Sequence, residues 1–236
     1  AACMAAVAPI RLADYTAWAF ELSTIHLDVD VRDTFVLINA RMELQPRSAS
    51  QPLALRGVEL ELLNVSINGR DLPTTEYNCS DGWLTIDQPP EQAFVLETCC
   101  RIDPYNNSSL EGLYASGGML STQCEAEGFR RITFHPDRPD VLSRWTVRIE
   151  AARSSCPVLL SNGNAIAEEE LADGRHAVTW EDPFPKPSYL FALVAGKLRE
   201  IRDQFTTASG RTVTLRLHVE EGDEPYTAHA MESLKR

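Results

Sequence analysis

No stretch of this chain is apolar for the roughly 20 residues that a membrane-spanning helix needs. No pair of its six cysteines has C-x-x-C spacing, so neither a redox dithiol nor a zinc knuckle is supported. Basic residues are scarce: 22 Lys and Arg stand against 34 Asp and Glu, a formal net charge of -12. Phosphate backbones and anionic lipid surfaces are bound by clustered Lys and Arg, so neither nucleic acid nor membrane is expected as a partner. A serine nucleophile elbow, a phosphate loop and a dinucleotide glycine pattern are all missing. Internal repeats and low-complexity segments are missing too. Until the last eleven residues, so is convincing 3.6-residue periodicity.

What is present describes a globular protein. Hydrophobic content of 44% with 24% charged residues, over 236 residues, suffices for a real core in one large β domain or two small ones. The cysteines stand at 3, 79, 99, 100, 124 and 156. Cys99 and Cys100 are adjacent, a spacing that suits disulfide geometry poorly, and the opening Ala-Ala-Cys-Met-Ala-Ala-Val-Ala-Pro lacks the basic start of a secretory signal. Free thiols in the cytoplasm are the expectation. Residues 1–17 are expected to be a flexible leader or an expression remnant.

Alternation by two organises most of the rest. Ile25, Leu27, Val29 and Val31 alternate with His26, Asp28 and Asp30, and Val36 to Leu44 repeats the pattern after Arg32-Asp33-Thr34. This predicts an antiparallel pair with one wet face. Leu53–Leu63, Val65–Ile67, Trp83–Ile86, Phe94–Leu96, Trp145–Ile149 and Thr212–Val219 read as further strands. Asn68-Gly69, Asn162-Gly163, Asp173-Gly174 and Ser209-Gly210 read as hairpin turns. Pro139 is placed to open one helical turn. The prolines of Asp182–Pro187 are expected to forbid regular structure, and apolar Tyr189–Ala195 to form a strand buried on both faces. The fold class is all-β, mainly antiparallel, with a saddle-like or sandwich arrangement of sheets.

The stretch from Leu110 to Pro139 does not fit this alternation. Gly112, Gly117, Gly118 and Gly128 interrupt it, and Gln123, Glu125 and Glu127 place an amide and carboxylates between them. It is expected to be neither a regular strand nor a helix. A rigid scaffold often carries function on such a loop, although pattern alone leaves an ordinary solvated connection open.

Thr122-Gln-Cys-Glu-Ala-Glu-Gly-Phe-Arg130, followed by Asp137-Arg-Pro-Asp-Val-Leu142, resembles the bacterial aminopeptidase N family of zinc metalloaminopeptidases. Leu160-Ser-Asn-Gly-Asn164 and the run from Trp180 to Gly196 are similar to the same family in the same order. The resemblance implies an N-terminal β domain at 18–225 and, at 226–236, the start of a truncated catalytic-domain helix. That helix carries Ala228, Met231 and Leu234 on one face. It further implies that Gln123 and Glu125 help bind the free α-amine of the peptide substrate. The missing catalytic domain would supply zinc and its ligands.

This chain lacks that ligand set. None of His26, His135, His176, His218 and His229 has another histidine within four residues, so H-E-x-x-H is absent, as is the family's G-A-M-E-N motif. No catalytic or metal residue is therefore expected here, and the fragment alone is expected to be inactive. His26, His176 and His218 fall on polar strand positions and are expected in solvent. Glu168–Glu170 reads as a solvated edge, Trp18, Trp83, Trp145 and Trp180 read as core, and Glu127 with Arg130 is a candidate loop-holding pair. Two alternatives stay open: a free-standing β-sandwich module binding protein or glycan, and a structural spacer.

Overall fold

The structure, a computed structural model, describes residues 11–48 and 51–236. Residues 1–10, which include Cys3 and most of the expected leader, lie outside the described residues. The leader's last residues are docked: Tyr15 Oη donates to Asp140 Oδ2 at 2.9 Å, and Arg138 Nη2 donates to the Thr16 carbonyl at 2.7 Å.

In chain order the strands are β1 (Phe20–Val31), β2 (Val36–Pro46), β3 (Leu53–Arg56), β4 (Glu61–Ile67), β5 (Arg70–Asp71) and β6 (Asn78–Ser80). Then come β7 (Trp83–Ile86), β8 (Phe94–Ile102), β9 (Gly112–Ser116), β10 (Met119–Gln123), β11 (Ser143–Ala152) and β12 (Val158–Ser161). The last are β13 (Asn164–Glu170), β14 (Arg175–Lys186), β15 (Leu193–Gly196), β16 (Arg199–Thr206) and β17 (Thr212–Val219), before a short helix α1 (Ala228–Leu234). An eight-stranded sheet has the order β13-β14-β11-β1-β2-β8-β4-β5. A four-stranded sheet runs β12-β15-β10-β9, a three-stranded one β3-β7-β6, and β16-β17 pair as a ribbon. The all-β, mainly antiparallel class is what the structure has. Among the described pairings only β1 with β11 is parallel, with Ile25 opposite Trp145 and Val29 opposite Ile149.

The large sheet is two-faced because its strands alternate. Ile25, Leu27 and Val29 of β1, Ile38, Ala40 and Met42 of β2, and Trp145, Val147 and Ile149 of β11 are buried together. Leu53, Leu55 and Leu84 of the three-stranded sheet and Leu120, Leu193 and Ala195 of the four-stranded sheet belong to the same core. Both small sheets therefore cover one face of the large sheet, and the other face keeps its charges. There Arg148 bridges Asp28 at 3.2 Å and Glu150 at 3.0 Å, while Arg175 meets Asp30 at 2.6 Å and Glu150 at 2.8 Å. A shared carboxylate between two guanidinium groups suits a sheet whose adjacent strands carry opposite charges side by side.

Parallel pairing of β1 and β11 forces a long crossover. After β8 the chain leaves the large sheet, builds the β9–β10 hairpin, and returns through Phe129–Ser143. Phe129 is fully buried on that return, edge-on to Trp145 at 5.2 Å and to Phe191 at 5.2 Å. The Trp145 indole N–H donates to the Lys186 carbonyl at 3.2 Å, so its one polar group is not left bare.

Several sequence expectations are corrected. Leu110–Pro139 contains a regular hairpin, closed by Gly117-Gly118 with both residues at positive φ. Asn162-Gly163 does not close a hairpin: β12 pairs in the small sheet and β13 in the large one, so these residues carry the chain between sheets. Strand β14 runs through the prolines, because Ser143 pairs with Lys186 and Trp145 with Asp182, leaving Pro183–Pro185 in an irregularity where no ladder donor is needed. Tyr189–Ala195 yields only the tail end of its expected strand, β15, and exposed Leu190 and Ala192 break its burial. Pro139 sits in a turn, not a helical turn. His176 is buried, because Cys156–Leu159 lies over this end of β14: His176 Nε2 is 2.7 Å from the Cys156 carbonyl and Trp180 donates to the Leu159 carbonyl at 3.1 Å. Trp83 is half in solvent, under the guanidinium of Arg56 at 5.1 Å. His26 and the Glu168–Glu170 edge are exposed as expected, and His218 is half-buried beside Glu200 at 3.1 Å.

Trp145 is the largest side chain in this buried aromatic cluster. Trp145→Ala is expected to cost about 3–5 kcal/mol of folding stability by urea denaturation; a loss under about 1 kcal/mol would place the centre of the core elsewhere.

Candidate functional site

The segment Gln123–Arg130 leaves the end of β10 and turns back into the core within a few residues. Its entry is fixed by the sheet. Leu120 and Ser121 pair with Ala195 and Val194 of β15, and the Leu193 N–H donates to Thr122 Oγ1 at 2.8 Å. Gln123 is the last residue paired, opposite Gly112. Cys124 then points inward and is buried, and its thiol is pushed up to about 12 by burial. It stays protonated at neutral pH, and no thiolate chemistry is available from it.

The turn itself is closed by the Gly128 N–H donating to the Cys124 carbonyl at 2.8 Å. Two glycines make it possible by lying against other backbone. A Cβ on Gly128 would stand 2.4 Å from the Gln123 carbonyl oxygen and 3.0 Å from the Gly112 nitrogen. Gly112, at φ 71°, would place its own Cβ 2.6 Å from Cβ of Arg131. No side chain fits either gap. The peptide between Glu125 and Ala126 is cis.

The exit is held by polar groups. Arg130 lies between two carboxylates, with Nε 2.8 Å from Asp137 Oδ2 and Nη1 3.1 Å from Glu127 Oε2. Its backbone N–H donates to Asp137 Oδ2 at 3.2 Å, and its carbonyl accepts from the Val58 N–H at 2.8 Å. Asp137 is buried, and its other oxygen accepts from Ser188 Oγ at 2.7 Å. Next to it, the backbone of His135 pairs with Arg56 of β3. His135 Nδ1 accepts the Asp137 N–H at 2.9 Å, so the ring hydrogen resides on Nε2, which is buried without a hydrogen-bond partner among the described residues; the ring stands edge-on to Phe129, with centroids 4.9 Å apart. Burial pulls the His135 pKa down to about 4, although the Asp137 carboxylate acts in the opposite direction.

Against this rigid support, Gln123 and Glu125 stand in solvent. Gln123 Nε2 donates to the Glu125 carbonyl at 3.0 Å, which ties the two residues together. The Glu125 carboxylate has no cationic partner within 4.0 Å among the described residues, whereas that of Glu127 is engaged by Arg130. Two acids two residues apart are thereby made unequal. The structure brings together Gln123, Glu125, Glu127 and Arg130, the group expected from sequence. Sequence reasoning did not find Asp137 as the buried counter-ion or Ser188 as its support. The Asp-Arg-Pro-Asp run was noticed, but nothing in it tells which aspartate turns inward, and Ser188 lies 51 residues away.

Other parts of the surface offer less. Among the described residues no three His, Cys, Asp or Glu side chains converge to hold a metal ion, so the residues present do not fit a catalytic zinc. A groove of about 690 Å³ on the charged face of the large sheet is lined by residues such as His26, Asp28, Arg41, Glu97 and Arg148. No Phe, Tyr or Trp ring lines it, so it lacks the broad aromatic face on which a sugar stacks. The described cysteines, Cys79, Cys99, Cys100, Cys124 and Cys156, are free, and no described helix is long and apolar enough to cross a membrane.

Residues 19–190 match the peptidase M1 N-terminal domain family. Aminopeptidase N of Caulobacter vibrioides is 50% identical over 228 residues, and aminopeptidase N of Escherichia coli is 48% identical over 223. These alignments cover 96% and 94% of this chain, but the chain spans only 26% and 25% of those relatives. A crystal structure of Legionella pneumophila aminopeptidase A in complex with aspartic acid superposes with a TM-score of 0.91 at 35% identity, over 96% of this chain and 27% of that one. An M1 zinc metallopeptidase from Deinococcus radiodurans shares the fold with a TM-score of 0.71 at 16% identity, over 89% of this chain and 52% of that one.

The depressed His135 pKa makes stability depend on pH. The unfolded histidine takes up a proton near its ordinary value of about 6.5, and the folded one does so only at about 4. Within that window the unfolded state binds more protons, so stability is complete above about 6.5 and falls as pH drops toward about 4. A loss on the order of 3 kcal/mol from this residue is expected by urea denaturation at pH 7 and pH 4. His135→Gln should flatten the slope there; an unchanged slope would assign it to other groups.

Proposed function

Because the chain belongs to the peptidase M1 N-terminal domain family, we propose that it is the substrate-amine-recognising domain of a zinc aminopeptidase. The enzyme would remove N-terminal amino acids from peptides. The observation that carries this reading is the inequality of the two acids: Glu125 presents an unpaired carboxylate beside Gln123 on a loop with a fixed backbone. A peptide's α-ammonium has three donors and a positive charge, and an ionised carboxylate with an amide oxygen nearby is its natural complement. An exopeptidase must also reject chains without that amine. Once docking of the catalytic domain withdraws the Glu125 carboxylate from water, leaving it unpaired penalises them.

On this reading the zinc ion and its ligands are held by the rest of the protein, whose catalytic domain docks against this one. Residues 18–225 are then the β domain and residues 226–236 open a helix of the catalytic part. The ribbon β16–β17, which pairs with none of the other sheets, joins the two. The free described thiols suit the cytoplasm.

The 236-residue chain alone is expected to show no aminoacyl-arylamide hydrolysis and to retain no stoichiometric zinc after dialysis. One tightly held zinc per chain by metal analysis would overturn that assignment of ligands.

In the complete enzyme, Glu125→Gln keeps size and one acceptor but removes the charge. A charge-assisted hydrogen bond is worth ~1.5–3 kcal/mol, so kcat/KM should fall roughly 10- to 150-fold, with weaker discrimination against N-acetylated peptides. Glu127→Gln is the control and should do less, because Arg130 already occupies that carboxylate. If Glu125→Gln stays within about twofold of wild type while Glu127→Gln cripples the enzyme, the amine belongs to the other acid.

A further inference from the structure

We infer that Asp137, acting through Arg130, is a positioning residue that sets which carboxylate of the loop meets the substrate amine. This rests on the amine-binding reading above and deepens it. Asp137 lies seven residues beyond Arg130 and is buried, with its side chain only 1% exposed. Both carboxylate oxygens are taken: one by the Arg130 backbone N–H and Nε, the other by Ser188 Oγ. Its backbone is held as well, since its N–H is bonded to His135 Nδ1 and φ is 49°. An aspartate so enclosed has one place to be, and it fixes the guanidinium that leans on it.

A guanidinium is planar and rigid, and its donors form a fork of set geometry. With Nε committed to Asp137, Nη1 projects to Glu127 at 3.1 Å. That contact does two things. It removes the negative charge of Glu127 from competition for a cation, and it holds the middle of the 124–128 turn from its outer side. Glu125, on the same turn, is left as the carboxylate without a partner. Were Arg130 free to swing, it could reach for either acid, and pairing with Glu125 would silence the amine site by direct competition. The buried aspartate prevents that by occupying one edge of the fork. Asp137 touches no substrate in this scheme; it orients the residue that orients the loop.

The test uses the complete enzyme, with Asp137→Asn and Arg130→Lys made in the wild-type and in the Glu125→Gln backgrounds. Lysine keeps the positive charge but cannot engage Asp137 and Glu127 in the fork geometry. Each change is expected to lower kcat/KM about tenfold in the wild-type background, mostly through KM, and less than about twofold further where Glu125 is already glutamine. That non-additivity is what a role exercised through Glu125 requires. Equal losses in both backgrounds, carried by kcat and matched by a fall in Tm, would overturn the proposal in favour of a purely structural role. If Asp137→Asn fails to accumulate as folded protein, Arg130→Lys decides the matter alone by the same criterion. Should Glu125→Gln itself leave kcat/KM unchanged, the amine-binding reading fails, and the positioning role fails with it. Should Glu125→Gln lose activity as expected while Asp137→Asn and Arg130→Lys stay within about twofold of wild type, only the positioning role fails.

Discussion

A carboxylate removed from water is costly unless its lone pairs find donors, and the Asp137 side chain meets that demand with donors from two places in the chain. Arg130 comes from the returning crossover, Ser188 from the segment after β14, and the His135 ring braces the aspartate's own backbone. Breaking one partner of a buried pair leaves the other charge uncompensated, which is why such a pair fixes geometry more firmly than it raises stability. The loop bearing Gln123 and Glu125 inherits its shape from this arrangement. So does the exit of the crossover, whose direction the sequence around His135 leaves undefined.

The architecture makes such an anchor necessary. Two strands of one sheet that run parallel must be joined by a long excursion, and here the excursion contains a hairpin, a glycine-backed turn and an aromatic plug. Phe129 enters the core against Trp145 and Phe191, and Arg130 directly after it enters the ion-pair system. Apolar burial supplies most of the free energy of docking, and directional hydrogen bonds supply the register. A site assembled from both is stiff at its base and open at its tip. On the proposed reading, that suits acidic groups that meet a cation without rearranging.

Charge is distributed on the same logic. The open face of the large sheet is acidic and basic by turns, and its arginines are shared among neighbouring carboxylates, as Arg148 and Arg175 are around Glu150. Ion pairs on an exposed face add little to stability, but they neutralise the field locally. An unpaired acid stands out only where this neutralisation stops, and Glu125 is such a place.

The sequence by itself determined the class of fold and most of its strands. Alternation in β1, β2, β11 and β17 is a local property, because successive side chains of a strand must point to opposite faces. The Asn68-Gly69 turn and the exposure of the Glu168–Glu170 edge were legible for similar local reasons. So was the Glu127–Arg130 pair, whose members lie three residues apart. Tertiary structure alone decided the rest. Asn162-Gly163 has the composition of a hairpin turn, but the partner of β13 is chosen by the large sheet. His176 sits at a polar position, yet Cys156–Leu159 covers it. Asp137 looks like any surface aspartate of a proline-rich turn until Ser188 and Arg130 arrive from elsewhere. Whether a polar side chain is buried depends on residues far away in sequence, and no local pattern carries that information.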